Sequence, residues 1–399
     1  MADLLRGIRV LDLTNVLAGP FCCYQLAQLG AEVIKVERPG SGDLARQLGA
    51  DPDLNARFMG ASFIAQNAGK RSITLDLKPA EGREVFLRLV ATADVVVENF
   101  RPGVMDRLGL GPDVLTAANP RLVYCAISGF GQDGPIAGNP AYDQIIQGLS
   151  GVMSVTGDAD TAPLRVGYPI CDTVGGMTAA FAIAAALAGR ARSGRGEVID
   201  VSMLESTLAT MGWQVSNWLV AGVPPQPIGN QNMTAAPSGA FRTASGLLNI
   251  AANQHAQFVT LCSLIGRPEL ATDPRFAGRE DRKRNRAALT VELEAALAAR
   301  PAVEWAALLN SQGVPAGEVL DLPQALDHPQ IAARDMHRSF DDVAGREKVT
   351  VLRAGFRLAG GDPGPTAPPP ELGADTDAVL EGLGYAAPDR ARFRAGGVT

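Results

Sequence analysis

One aspartate in an apolar setting is the residue of this sequence best suited to covalent chemistry. In Tyr168-Pro169-Ile170-Cys171-Asp172-Thr173-Val174-Gly175-Gly176-Met177, Asp172 stands where an extended segment gives way to an apolar helix. No residue from Thr173 to Gly189 is charged, so Asp172 is the only ionised group at the mouth of a buried element. An aspartate there serves as a helix N-cap by accepting a backbone N–H. It serves equally as a nucleophile that forms and breaks acyl bonds. Two glycines one turn on, each costing up to roughly 1 kcal/mol against alanine, imply a close approach to that backbone. The pattern predicts a capped carboxylate facing a glycine-walled space.

Other chemistries find less support. The three histidines are scattered and Cys22-Cys23 is an adjacent pair without zinc-site spacing, so no metal site is expected. An odd number of cysteines (five), mostly in apolar surroundings, predicts reduced thiols in a cytoplasmic protein. The net charge of −6 argues against a nucleic-acid surface. The densest basic run, Arg279 to Arg286, is broken by Glu280 and Asp281. No signal peptide is visible at the N-terminus. The apolar run from Thr173 stops short of the roughly 20 residues a membrane span needs, so it is expected to be a buried core helix, with no membrane partner.

These residues are set in alternating strand and helix patterns. Strands are expected at 8–13, 32–36, 72–75, 94–98, 122–127 and 198–203, with helices between them, among them 21–29 and 80–91. Continuous Val/Ile/Leu runs joined by helices predict an α/β fold with a mainly parallel sheet covered on both faces. Ligands then bind beyond the carboxyl ends of the strands. No Gly-x-Gly-x-x-Gly follows the first strand, which disfavours a dinucleotide dehydrogenase. Val223-Pro224-Pro225-Gln226-Pro227 marks a boundary after residues 1–222. Residues 226–330 read as a smaller α+β unit, and 331–399 as a return to the large domain. In that return a strand at 349–352, a surface strap at 363–370 and a helix at 375–383 are expected.

Several strings in fixed order resemble the family III CoA-transferases, the CaiB–BaiF type. They include Gly7-Ile8-Arg9-Val10-Leu11-Asp12-Leu13-Thr14 with Ala18-Gly19-Pro20, and Gly30-Ala31-Glu32-Val33-Ile34-Lys35-Val36-Glu37 with Arg38-Pro39-Gly40-Ser41-Gly42-Asp43. Lys70-Arg71-Ser72 to Lys78, Asp94 to Phe100, Pro102 to Gly109, Asn119 to Tyr124 and Gly194-Arg195-Gly196-Glu197 complete the set. The resemblance implies a Rossmann-like large domain built from both ends of the chain, a smaller inserted domain, and an interlocked homodimer. It implies acyl-CoA and a small carboxylic acid as substrates, with no tightly bound cofactor.

In such enzymes an aspartate, matched here by Asp172, carries CoA as an aspartyl thioester. A helix N-terminus behind it is expected to keep Asp172 ionised and to offer N–H groups to developing oxyanions. By the same resemblance Val16, Leu17 and Ala18 border the pantetheine, Arg38 meets a CoA phosphate, Leu75 to Lys78 border the adenine, and Asn99 and Arg107 contact CoA. Asp143 matches an acidic position near the catalytic centre, where it orients substrate or caps the helix that follows it. Arg165 or Arg242 is suited to a distal carboxylate, because arginine binds carboxylates in a forked geometry. The loop from Gly229 to Ser238 resembles transferases that use succinyl-CoA with itaconate, mesaconate, citramalate, malate or glutarate. Asn15, Leu17 and Pro140 differ from the formyl-CoA transferases. The related racemases carry a histidine where Tyr142 stands, and tyrosine, with a pKa near 10, is a poor base at neutral pH. Intramolecular CoA transfer, racemisation and a non-catalytic CoA-binding module are the alternatives.

Overall fold

The computed structural model describes residues 3–399 as two compact units. The first gathers the chain up to Val152, Arg165–Val223 and Arg334–Thr399; the second holds Met153–Leu164 and Pro224–Ala333. Met153–Leu164 therefore joins the inserted unit, which the Pro-rich breaker at 223–227 gave no reason to expect.

Among the described residues of the first unit, six strands form one parallel sheet in the order β3-β2-β1-β4-β5-β6. They are β1 Arg9–Asp12, β2 Glu32–Glu37, β3 Arg71–Thr74, β4 Val95–Glu98, β5 Val123–Ser128 and β6 Glu197–Ser202. Register explains the continuous apolar runs. Val10 lies beside Val33 and Val95 and feeds the core on one face. Leu11 lies beside Ile34 and Val96 and feeds the core on the other. Both faces are covered, so neither row can be polar. The order reverses direction between β1 and β4, and such a switch point opens a crevice beyond the carboxyl ends of these two strands.

Four helices of this unit stand around that crevice, α1 Ala18–Gln28, α2 Ala61–Asn67, α3 Asp143–Leu149 and α4 Ile170–Ser193, and a fifth, α5 Gly212–Ala221, has no buried residue. At 24 residues α4 exceeds the run read from the sequence, and it is long and apolar enough to cross a membrane. Its small-residue face accounts for much of that apolarity within the fold, since Gly175, Gly176, Ala179, Ala180 and Ile183 are buried. Met177 and Phe181 on another face remain 49% and 75% exposed, so α4 is a core helix on one side only.

Gly176 sets the α1–α4 approach. A Cβ there would stand 2.3 Å from the Ala18 carbonyl oxygen, with backbone on both sides of the clash. Gly176→Ala is expected to cost about 1–3 kcal/mol through forced separation of the two helices. The check is a fall in denaturation midpoint; an unchanged midpoint would show that the contact yields freely.

The second unit is α+β. Strands β7 Ser238–Arg242, β8 Leu247–Ala251 and β9 Ala316–Glu318 form an antiparallel sheet. Phe241, Leu248 and Ile250 pack with Phe258, Leu261, Leu293 and Trp305 from its helices. On returning to the first unit the chain forms a hairpin, β10 His337–Val343 with β11 Arg346–Leu352. Only the second of these strands was legible. The Pro-rich strap is not a loose surface segment, since Pro363, Gly364 and Pro365 are buried and the Ala367 carbonyl accepts from Gly69 N at 2.8 Å. The Asp375 carboxylate then accepts from Ser72 N at 2.9 Å, fastening the C-terminal return to β3. A last helix, Ala387–Ala395, escaped the sequence reading because Phe393 is its one buried side chain.

Candidate active site

The loops after β1 and β4 meet at the switch point. Asn99 accepts from Asn15 N at 2.8 Å and returns a bond from Nδ2 to the Asn15 carbonyl at 2.9 Å. Next in the loop, Val16 takes a left-handed backbone with φ 67°, unusual for a β-branched residue. Strain of that kind persists only where the surroundings hold it. Here the Asp43 carboxylate accepts from Val16 N at 2.9 Å.

Behind the loop lies a buried ionic cluster. Lys35 Nζ pairs with Asp43 at 2.9 Å and donates to the Thr14 carbonyl at 2.7 Å. Asp12 pairs with Lys70 at 2.8 Å and accepts from Thr14 N at 3.0 Å. Burial alone would raise the pKa of Asp12; the ammonium groups of Lys35 and Lys70 overcome it and hold the carboxyl at about 2. In turn the carboxylates of Asp12, Asp43 and Glu37 keep Lys35 protonated against its own burial.

Over this scaffold opens a cavity of about 380 Å³, whose walls include Val16, Leu17, Ala18, Asn99, Tyr142 and Asp172. A second cavity of about 200 Å³ is lined by Arg38, Leu75 and Lys78 among others. Asn15 and Phe100 belong to both, so the two cavities adjoin, one lined by Asp172 and the other by Arg38. Arg107 lines neither; it is exposed at the end of the short helix Val104–Arg107, beside Leu108 of the second cavity. Arg242 lies in the other unit, with its guanidinium on Glu294 at 2.8 Å.

Asp172 departs from the sequence expectation in three ways. It is the third residue of α4, whose N-cap is Pro169, so it is not the capping residue. Asp143, 5% exposed, fills that role from α3. Its carboxylate accepts from Cys171 N at 2.8 Å and from Asp172 N at 3.4 Å, and it does not cap its own helix. The amides expected to serve an oxyanion are therefore already engaged. Nor is Asp172 held ionised: burial first, then the neighbouring Asp143 charge, push its pKa up to about 7.

The glycines have a different reason from the one the sequence suggested. Gly176 faces the Ala18 backbone, and a Cβ on Gly175 would meet Met203 Cγ at 2.9 Å. Both neighbours are walls of the cavity, so the glycines admit protein rather than ligand.

Gln147 is a contributor that the sequence did not single out. Its Nε2 donates to Asp143 at 2.7 Å and its Oε1 accepts from Val166 N at 2.9 Å, tying the segment before α4 to α3. Arg165 reaches the same Asp143 at 3.5 Å, which places it near the carboxylate pair. Among the described residues, no group of three or more His, Cys, Asp or Glu side chains is arranged to hold a metal ion.

Comparison with known proteins extends this description. A family model described as CoA-transferase family III matches residues 5–376. The acetyl-CoA:oxalate CoA-transferase of Acetobacter aceti is 46% identical over 83% of this chain and 84% of its own length. The succinyl-CoA:mesaconate CoA-transferase of Haloarcula hispanica is 36% identical over 95% of this chain and 96% of its own. The crystal structure of a CAIB/BAIF family protein from Brucella suis superposes with a TM-score of 0.84 at 37% identity, covering 96% of this chain and all of that one.

Proposed function

Because this chain belongs to CoA-transferase family III, we propose that it moves CoA from an acyl-CoA, succinyl-CoA foremost, to a short dicarboxylate through a thioester on Asp172. The acceptors to consider are itaconate, mesaconate, citramalate, malate and glutarate. Oxalate joins them on the name of the Acetobacter relative, although Asn15, Leu17 and Pro140 differ from the formyl-CoA transferases. The observation that carries the reading is that the cavity lined by Asp172 adjoins one lined by Arg38 and Lys78. Cations on one side suit the phosphates of CoA and a carboxylate on the other suits its thioester.

The chemistry needs only carboxylates and a thiolate. An Asp172 oxygen attacks the thioester carbonyl; the C–S bond breaks, CoA leaves as thiolate, and an acyl–aspartyl anhydride remains. The thiolate attacks the aspartyl carbonyl and expels the first acid as its carboxylate. The acceptor carboxylate then attacks the aspartyl–CoA thioester, releasing the thiolate again. Attack of that thiolate on the acceptor acyl carbon forms the new acyl-CoA and frees Asp172. CoA thioesters are thus substrates, and no tightly bound cofactor enters.

A pH dependence follows. The nucleophile is the anion, so kcat/KM is expected to rise with pH up to about 7 and then level. Asp143→Asn removes the like charge and leaves the burial, so the rise should move to lower pH. The check is the pH profile of both proteins; an unmoved acid limb would remove Asp143 from the account.

The faces left open support a homodimer. Trp213, Trp218, Leu219 and Val220 around α5 are each more than half exposed, as is Phe181 of α4. Five free, buried cysteines support a reducing cytoplasmic setting. The test of the chemistry is succinyl-CoA followed by hydroxylamine and peptide mass mapping. A hydroxamate on Asp172, absent with free CoA, is expected. None with any acyl-CoA would overturn the assignment and direct attention to proton exchange at the α-carbon.

A further inference from the structure

A dicarboxylate that reacts at Asp172 brings a second carboxylate with it, and that charge needs a partner. Neither arginine expected from the sequence lines the Asp172 cavity: Arg242 pairs with Glu294 in the second unit, and Arg165 stands beside Asp143. Arg101 does line it. Apart from Asp172 it is the one residue of that wall with a formal charge. Arg101 is exposed, and among the described residues no hydrogen bond or ion pair engages its guanidinium. Arg38 and Lys78, suited to the phosphates of CoA, line the adjoining cavity, which Arg101 does not.

The backbone that carries Arg101 is fixed, although its side chain is not. Asn99 is bonded twice to Asn15 in the loop after β1. Phe100 N donates to the Glu98 carboxylate at 2.7 Å, and the Tyr124 hydroxyl donates to the same carboxylate at 3.2 Å. Glu98 is buried, so this clamp is shielded from water. On the other side the Arg101 carbonyl accepts from Val104 N at 3.1 Å. A cation mounted on a fixed backbone and left out of internal pairs is ready for an anion that arrives from outside. The guanidinium fork matches a carboxylate. Small-molecule sites occupy roughly 300–1,000 Å³. At about 380 Å³ this cavity is among the smaller ones, so a short acid that fills it meets both charged walls.

We propose that Arg101 is a specificity-determining residue that binds the carboxylate not taking part in the reaction, and so selects dicarboxylates over monocarboxylates of the same chain length. The inference rests on Asp172 as the nucleophile of a CoA-transferase and names a contact to the acid that this reading leaves open. The bonds made and broken are those given above.

The test is isotope exchange, in which one acid is both leaving group and acceptor: labelled succinate into succinyl-CoA, and labelled butyrate into butyryl-CoA. The two acids have four carbons each and differ in a carboxylate against a methyl group at the far end. The wild-type protein should favour succinate by at least about tenfold in kcat/KM, the lower end of what a hydrogen bond to a charged group supports. Arg101→Leu should lower the succinate-to-butyrate ratio at least about tenfold, chiefly through a higher KM for succinate. Arg101→Lys keeps the charge without the fork and should recover part of the ratio. Butyrate exchange is the internal check that each variant is folded. Equal falls with both acids would assign Arg101 to a phosphate of CoA. An unaltered ratio would leave it no part in choosing the acid. Either result overturns the proposal while the transferase reading stands. Absence of both exchanges in the wild type defeats the transferase reading itself, and the proposal falls with it.

Discussion

Asp172→Asn is expected to lower turnover by on the order of 10⁴-fold or more while making the folded protein more stable above neutral pH. The loss follows from removing the atom that becomes acylated, because a carboxamide oxygen is a poor nucleophile and its acyl adduct a poor carrier of CoA. The gain follows from the same burial that raises the carboxyl to about 7 from its ordinary 3.8. A folded-state pKa above the unfolded value means the protonated form is the one the fold prefers. Its contribution to stability is full below about 3.8 and is lost as pH rises through about 7. Asparagine is neutral throughout and escapes that loss, as well as the repulsion from Asp143. The variant should therefore melt close to wild type near pH 4 and a few °C higher at pH 8, the order that a change of one to two kcal/mol produces. Melting curves at the two pH values, with turnover at the second, decide it. Wild-type turnover would remove Asp172 from the chemistry. A variant less stable at pH 8 would mean the carboxylate is held by contacts stronger than its desolvation.

Much of this was readable because of the way parallel sheets are buried. Val95-Val96-Val97 and Val123 to Ile127 must be apolar on both faces, so their runs stand out without any periodicity. Strand β10, with His337, Arg338, Asp341 and Asp342, lies in a two-stranded hairpin and has no such signature. Asp172 was singled out by its neighbours in sequence and Asp143 by family resemblance alone; that Asp143 caps α4 rather than its own helix was not legible, since it reaches α4 only through packing of α3 against it. The two glycines gave a true signal of a close approach, though sequence cannot say what approaches: the Ala18 backbone meets Gly176 and the Met203 side chain meets Gly175. Arg242 had a plausible chemistry for carboxylates, and the structure engages it with Glu294 in the second unit. The buried cluster carried a signal that went unused. Asp12 in Arg9-Val10-Leu11-Asp12 and Lys35 in Glu32-Val33-Ile34-Lys35 are charges inside strand runs that must be buried. Charges in such places are paired or they do not persist, and those of opposite sign on adjacent strands are the natural pair.

That pairing sets the largest stability effect expected of a single substitution outside the candidate nucleophile. Lys70 Nζ touches Asp12 at 2.8 Å and the Pro20 carbonyl at 3.0 Å, with both charged side chains fully buried. Lys70→Met keeps the length of the side chain and removes the charge. Asp12 is then left with the Thr14 hydrogen bonds and with Lys35 at 3.8 Å, a cation already shared with Asp43. Breaking a buried pair from one side costs about 3–5 kcal/mol, because the remaining ion stays out of water without its partner. For a chain of this size that corresponds to a fall in melting temperature of about 4–6 °C. Asp12 at about 2 lies below its ordinary 3.8, so its contribution is present above about 3.8 and is lost as pH falls toward 2. With one ammonium gone the folded-state value should rise, and acid unfolding should begin at a higher pH than in wild type. The loop that lines the Asp172 cavity hangs from the same groups through Thr14 and Val16, so KM for the acyl-CoA should rise more than kcat falls. Asp12→Asn combined with Lys70→Met should cost less than the sum of the two single changes, since the double variant buries no unpaired carboxylate. A melting temperature within about 2 °C of wild type, or strict additivity in the cycle, would show that water or a rearranged Lys35 takes over the pairing.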